Sequence, residues 1–520
     1  MFISRLLPRV ASIVPANVAL KQGRRCVTYG ELADQAGRLA RAFTDLGIAA
    51  GDRVALLGHP GIDLVIAEHA AVAIGAIPFG IYSTLAPREI QEIIDDAAPS
   101  VVVVDEAFET FAAQLVHARA PLEVSCRPRG VGVSMDELIA SSAPLAEWHE
   151  AGLDDPVLLV YTGGTSGRPK GVTHTAASVS SWVNMNHPAG PAYAPHQRSI
   201  VFNLAHLSGQ ANLWKTVAAG GRLVFFPSYP PAGGTALVDL LEAERITNIG
   251  TVGGTFSDIL NTPDLGRRDL RSLQLIAVGG SFTSAHVLQR ATELLPSAMI
   301  MCVYSLTESG QLISALSVND AVRRGRLERL RSVGVPGVSL FGQKPFAVRV
   351  VDDAGRDVEP GGVGEILVAG PQLMSGYWKN EEATRRTLAG GWLHTGDVGR
   401  IDADGYLYLL DRKRDIIISR TGVNVYTSEV EDAIARHPAV QEVAILGNRA
   451  EDAAEEIAAA VVLREGTSLT LPELHRFCAD SIAAFKMPSH LTVLDALPRT
   501  DVGKIDKLRL RAALAPATTS

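Results

Sequence analysis

A chain of 520 residues exceeds one hydrophobic core and calls for roughly three or four domain-sized units. Its 47% hydrophobic and 20% charged composition is that of an ordinary globular protein, and no run of about 18 apolar residues could span a bilayer. The net charge of −8 argues against a dedicated nucleic-acid binder, while leaving room for small anions held in a local positive pocket. Cys26, Cys126, Cys302 and Cys478 have neither metal-ligand spacing nor the density of a disulfide framework, so a reducing cytoplasm is expected. Pro8 and Pro15 interrupt the first segment before an apolar stretch develops, which speaks against a signal peptide.

Apolar residues recur at helical spacing between Thr28 and Leu46, with Leu32, Ala36, Leu39, Ala40 and Phe43 on one face. GDRVALLG from Gly51 reads as turn and strand, Asp63 to Ile74 as a helix, and VVVVD from Val101 as a buried strand. This alternation implies an α/β fold with parallel sheet covered on both faces by helices. Val157 to Val160 is another buried strand, and it runs into YTGGTSGRPKG, Tyr161 to Gly171. Glycines let such a loop bring backbone N–H groups close to an anion, Thr162, Thr165 and Ser166 add donors, and Lys170 adds charge. Arg168 and Pro169 separate Gly167 from Lys170, so the Walker-type pattern is not met. The Pro- and Gly-rich stretches Pro188 to Pro195 and Pro227 to Gly234 read as loops.

Further on, NLAHLSG, Asn203 to Gly209, sets His206 among small and apolar residues, where a satisfied core histidine and a pocket residue are both open. LQLIAVGGSFT, Leu273 to Thr283, is a strand ending in Gly279 and Gly280, whose bare backbones allow a ligand or a turn. A strand in CVYSLTES, Cys302 to Ser309, would deliver an aromatic ring, a hydroxyl and a carboxylate to one sheet edge. GEILVAGPQLMSGYW, Gly364 to Trp378, reads as strand, turn and docking segment and is assigned to structure, Glu365 included.

The loop Tyr161 to Gly171 resembles the phosphate loop of adenylate-forming enzymes, the superfamily of acyl-CoA synthetases, peptide-synthetase adenylation domains and beetle luciferases. Matching segments extend from about Thr28 to Lys507. The resemblance implies a large N-terminal domain, 1–411, and a small mobile α+β domain, 412–520, hinged near Arg414. It implies ATP and AMP binding by Thr162, Gly163, Gly164, Thr165, Ser166, Gly167 and Lys170 on the phosphates. Gly280, Ser281, Val303, Tyr304, Ser305 and Thr307 would lie about the nucleotide, with Tyr304 stacked on adenine. Asp397, in GWLHTGD, would take both ribose hydroxyls, a fitting task for a bidentate acceptor. Arg412 would reach ribose or phosphate, while Glu308 and Thr165 would hold magnesium.

His206, Leu207, Ser208, Gly253, Gly279, Gly280, Phe282 and Ser305 would border the acid substrate. Ser305 replaces the usual glycine of the family's Tyr-Gly-x-Thr-Glu motif, which bears on the shape of that channel. Amino-acid-activating relatives usually carry an aspartate in this segment to pair with the substrate ammonium; no acidic residue lies between Asn203 and Gly220, so a simple apolar acid is expected, because an unpaired ammonium is costly to bury. Arg420, Thr421 and Gly422 would form the coenzyme A side loop, which lacks the family's common double glycine. Lys504, in LPRTDVGKIDK, corresponds to the mobile catalytic lysine, with His206 and Glu308 beside it. The implied activity is an acid–thiol ligase: acid, ATP and coenzyme A are its partners, in a monomer or homodimer without nucleic acid. A standalone enzyme loading a carrier protein, one retaining only the second half-reaction, and a silent nucleotide-binding regulator are the alternatives. Since no carrier domain follows Lys507, a freestanding ligase is expected.

Overall fold

The computed structural model describes residues 3–112, 122–126, 132–162, 169–184, 194, 196–226, 233–281, 283–310, 312–337, 346–418, 424–449, 455–500 and 504–514. The helix Tyr29–Asp45 begins where its sequence provides a stop for free N–H groups: Thr28 Oγ1 accepts from Glu31 N, and the Glu31 carboxylate accepts from Thr28 N at 2.8 Å. Leu32, Ala36, Leu39, Ala40 and Phe43, the expected apolar face, are all fully buried. Ile62–Ala73 is the next long helix, and it is buried on every side.

Two sheets carry most of the larger domain. One is parallel throughout, in the order Ile77–Ile81, Arg53–Leu57, Val101–Val104, Leu122–Ser125, Val133–Ser134. Its strands are nearly continuous apolar runs because helices cover both faces. The other runs Val335–Pro336, Leu312–Ser317, Met299–Ser305, Leu275–Gly279, Asn248–Val252, Arg198–Ile200, Arg222–Phe225, Val18–Gln22, Arg25–Thr28. Its centre is parallel and both margins reverse direction. Parallel strands point their C-terminal ends the same way, so the residues that follow them gather at one edge, where α/β folds bind ligands.

Two departures from the sequence reading stand out. Pro156–Thr162, read as another strand of the α/β pattern, belongs to a separate antiparallel sheet with Lys170–Thr175 and Gly376–Tyr377. Lys170 therefore opens the return strand, opposite Thr162, instead of sitting within the loop. Gly233 and Gly234, read as the end of a loop, open the helix Gly233–Ala243; 227–232 and most of 188–195 lie outside the described residues.

An antiparallel sheet built on Trp392–Ile401 leads through the strand Leu407–Arg412 into the smaller domain. There Val440–Arg449 and Glu455–Leu463 pair antiparallel, and His490–Val493 joins parallel to the second. Alternation divides their side chains: Ile445, Ile457, Ala459 and Val461 face a core with Val430 and Leu474, while Ala444, Leu446, Ala460 and Val462 face one with Leu497 and Leu510. The two domains meet at an ion pair, Arg331 Nε to Asp432 Oδ2 at 3.0 Å, among other contacts.

One polar network inside the larger core reaches toward the edge described below. Gln210 Nε2, on the helix Leu207–Ala218, donates to Glu68 Oε2 at 3.2 Å and to the Leu204 carbonyl at 2.7 Å, and Trp214 Nε1 donates to Gln210 Oε1. Burial pushes the Glu68 carboxyl up to about 8 and the neighbouring His69 imidazole down to about 3, so both are neutral near pH 7. Glu68 thus keeps its proton when folded and releases it from about 4.5 when unfolded, so its stabilisation is complete below that pH and lost as pH rises to about 8. Glu68→Gln should gain in stability relative to the parent as pH rises from 5 to 8, by at most about 1.4 kcal/mol per pH unit, read from melting curves at each pH. A difference that stays flat across that range would contradict this.

Candidate active site

Asp397 lies within the strand Trp392–Ile401 and is 7% exposed. Its Oδ1 is 2.6 Å from Arg412 Nε, and its Oδ2 accepts from the Tyr304 hydroxyl at 2.5 Å. Arg412 reaches it because the two residues are paired across neighbouring strands. Thr395 braces the arrangement, accepting from Asp397 N at 3.0 Å and donating to the Ile366 carbonyl at 2.7 Å. Burial raises the Asp397 carboxyl, while Arg412 and the Tyr304 hydroxyl oppose that shift. Burial and Asp397 together push the Tyr304 phenol well up. Through its hydroxyl Tyr304 supports Asp397, at the top of a core that includes Ile313, Phe346 and Ile366.

Beyond the strand Met299–Ser305 the chain turns. Its register shifts between Tyr304 and Ser305, and a turn follows in which Ser309 Oγ bonds both the amide and the carbonyl of Leu306. Burial holds His174 down at about 3; as a neutral ring it donates from Nε2 to the Thr307 carbonyl at 3.1 Å. The turn so held presents Glu308, whose Oε1 accepts from the Tyr377 hydroxyl at 2.8 Å. The Lys170 ammonium lies 5.2 Å from the centre of the same Tyr377 ring. Tyr377 therefore joins the flank of the glycine-rich loop to Glu308, although the segment containing it reads from sequence as structural. Glu365 fulfils that reading: it accepts from Gly396 N at 3.2 Å, just before Asp397.

His206 is the N-cap of the helix Leu207–Ala218. Ser208 N donates to its Nδ1 at 3.2 Å, and Ser208 Oγ is 2.7 Å from the same atom, so Nε2 carries the ring proton. Burial, with the Lys504 ammonium as a second cause, pushes this imidazole down to about 3. A neutral N–H donor results. Leu207 does not accompany it: it is packed into the main core, with Leu204 and Trp214. Gly279 likewise answers to packing, since Val303 on the adjacent strand fills the space a side chain would need. Gly253 N donates to Ser281 Oγ at 3.1 Å, which fixes two neighbouring strand ends against each other.

Lys504 comes to this place from the other domain. Its Cε lies 3.1 Å from the position a Cβ would take on Gly280, which itself has φ of +74°. Burial and Arg412 lower the Lys504 ammonium, whereas Asp397 and Glu308 raise it. Two cations thus face two carboxylates beside a neutral imidazole. Arg414, the expected hinge, is exposed between the strands Leu407–Arg412 and Ile417–Ile418, 4.0 Å from Asp415. Gly163, Gly164, Thr165, Ser166, Gly167, Phe282, Arg420, Thr421 and Gly422 lie outside the described residues. A cavity of about 190 Å³ elsewhere, bordered by His59, Asp63, Asp105 and Cys126, is lined by none of the expected site residues.

Residues 7–378 match the family model described as AMP-binding enzyme, and 429–504 match its companion, the AMP-binding enzyme C-terminal domain. The chain belongs to this family of adenylate-forming proteins. It is 30% identical to an indoleacetate–CoA ligase of Aromatoleum aromaticum over 525 aligned positions, covering 100% of this chain and 99% of that one. Among solved structures, an amide bond synthetase from Marinactinospora thermotolerans superposes with a TM-score of 0.86 at 30% identity, covering 99% and 100% of the two chains. The o-succinylbenzoate coenzyme A synthetase of Bacillus subtilis, solved with ATP and a magnesium ion, superposes with a TM-score of 0.80 at 27% identity, covering 98% and 99%.

If Asp397 accepts hydrogen bonds from AMP, Asp397→Ala should weaken AMP binding about 10- to 100-fold in calorimetry, the usual worth of bonds to a charged group. Affinity within about twofold of the parent would remove Asp397 from the nucleotide site.

Proposed function

We propose that this chain is an ATP-dependent acid–CoA ligase. The observation that carries the reading is Lys504, delivered by the small domain into the group formed by Asp397, Glu308 and Arg412. A carboxylate is a weak nucleophile and is repelled by the phosphates of ATP, so its activation requires cations held in place. Lys504 would sit between the carboxylate and the α-phosphate. One carboxylate oxygen attacks the α-phosphorus, the bond to pyrophosphate breaks, and acyl-AMP forms. In the second step the coenzyme A thiol attacks the acyl carbon, loses its proton, and AMP leaves. Asp397 would hold the ribose hydroxyls, Arg412 the ribose or phosphate, and Lys170 with Thr162 and the following loop the outer phosphates.

Glu308 offers the hard oxygen donor that magnesium prefers, and its placement by Tyr377 fits that task; bound magnesium would offset phosphate charge. The neutral Nε2–H of His206 would orient the acid carboxylate. Indoleacetate and o-succinylbenzoate, the acids in the names of two relatives, are both aromatic, which supports aromatic acids as the first substrates to test. The division between domains is placed after Asp411, with the hinge at Arg414. Among the described residues no helix is long and apolar enough to cross a membrane. The free cysteines support a cytoplasmic setting, and a monomer or homodimer is proposed.

A second acceptor has an observation in its favour, because the amide bond synthetase is as similar as the CoA ligase. Purified protein with ATP, magnesium and a panel of aromatic and fatty acids should form AMP and thioester only when coenzyme A is present. Amide formation with added amines, and none with coenzyme A, would favour the second reading. Silence with every acid and acceptor would reject both. In the same assays Lys504→Ala should slow acyl-AMP formation at least about 100-fold, as loss of a preorganised charge does, yet spare thioester formation from synthetic acyl-AMP. Equal loss in both steps would take Lys504 out of its role.

A further inference from the structure

Lys504 stands on one arm of a hairpin whose other arm carries Arg499. The stem is closed by Asp506 N donating to the Pro498 carbonyl at 2.8 Å and Thr500 N to the Lys504 carbonyl at 2.7 Å, with Arg499 and Ile505 bridged antiparallel. Both arms meet the large domain at the turn from the strand Asn248–Val252 into the helix Gly253–Leu260. Lys504 lies against Gly280, beside Val252. The Arg499 guanidinium lies directly on Gly254, where a Cβ would collide with its Cζ and Nη1. From its own domain, both carboxylate oxygens of Glu442 accept from Arg499 Nη2 at 2.8 Å. One turn beyond Gly254, Asp258 is raised by burial and held down by the attraction of Arg499.

We propose that Arg499 is a positioning residue for acyl-AMP formation and that Gly254 is the notch that receives it; this rests on the adenylating reading above. Docking of the domains has a separate contact in Arg331 and Asp432, and Arg499 sets the seat of the hairpin. Glu442 fixes the guanidinium, the guanidinium fixes one arm on Gly254, and the other arm brings the Lys504 ammonium over Gly280. A shift of about 1 Å at such a group costs as much as about 100-fold in rate. Once the small domain rotates for thioester formation, the two arms leave the notch and the contact no longer contributes.

The test compares Arg499→Ala, Gly254→Ala and the double variant. Each single variant should slow acyl-AMP formation about 10- to 100-fold, with the KM for ATP within about threefold. Thioester formation from synthetic acyl-AMP should stay within about twofold of the parent, which a general loss of structure would not allow. The double variant should be no slower than the slower single one, because the collision at Gly254 needs the Arg499 side chain. Losses that multiply, or equal losses in both steps, would overturn the proposal. A readout without turnover is acetylation of Lys504 by acetic anhydride, followed by mass spectrometry: labelling should be at least about fivefold faster in both single variants, other lysines unchanged. Unchanged Lys504 labelling would overturn the proposal even if no acid turned over, whereas faster labelling without turnover would reject only the adenylating reading.

Discussion

Everything at this site depends on keeping an ammonium charged out of water next to a guanidinium. Burial and Arg412 both disfavour the Lys504 charge, and Asp397 and Glu308 are what favours it. A carboxylate can serve in this way only if it stays ionised and in place, and its own burial works against that. The surrounding bonds answer both needs. Arg412, Tyr304 and Thr395 hold Asp397; Tyr377 holds Glu308, and His174 holds the turn beneath it. The charges are supported in pairs, so an anion arriving here would meet cations already held in place.

The parallel architecture explains why so few residues travel far to build this group. Gly253, Gly280 and Ser305 each follow or end a strand whose C-terminal end points to the same edge. His206 follows Arg198–Ile200 at that edge, held by the hydrogen bond from Gln210 to Leu204. Asp397 and Arg412 come from a different, antiparallel sheet, which pairs them directly. Lys504 comes from the small domain, whose two-faced sheet forms its own core.

Much of this was legible in the sequence, for reasons that differ by residue. The helix Tyr29–Asp45 and the valine strand at Val101 were readable because their patterning is local. Asp397, Glu308, Arg412 and Lys504 were identified by resemblance, since nothing in their own neighbourhoods tells a charged turn from a site. Tyr377 escaped because its partner Glu308 is distant in the chain, and Thr395 because its bond to the Ile366 carbonyl exists only once two separate strands pair. Arg499 escaped for the same reason: its partner Gly254 looks like any glycine in a turn until the two domains are brought together. Leu207 was misplaced in the opposite direction. Beside His206 it resembles a pocket residue, yet a helical turn sends the neighbouring side chain into the core.

In the adenylation proposed above, a carboxylate oxygen becomes bonded to the α-phosphorus of ATP. The most direct measurement is the fate of that oxygen: an acid that turns over, labelled with oxygen-18 in its carboxylate, is converted to product and the AMP is weighed by mass spectrometry. Attack through acyl-AMP predicts AMP carrying a single oxygen-18 from the acid. AMP free of label, with product still formed, would contradict adenylation as the route.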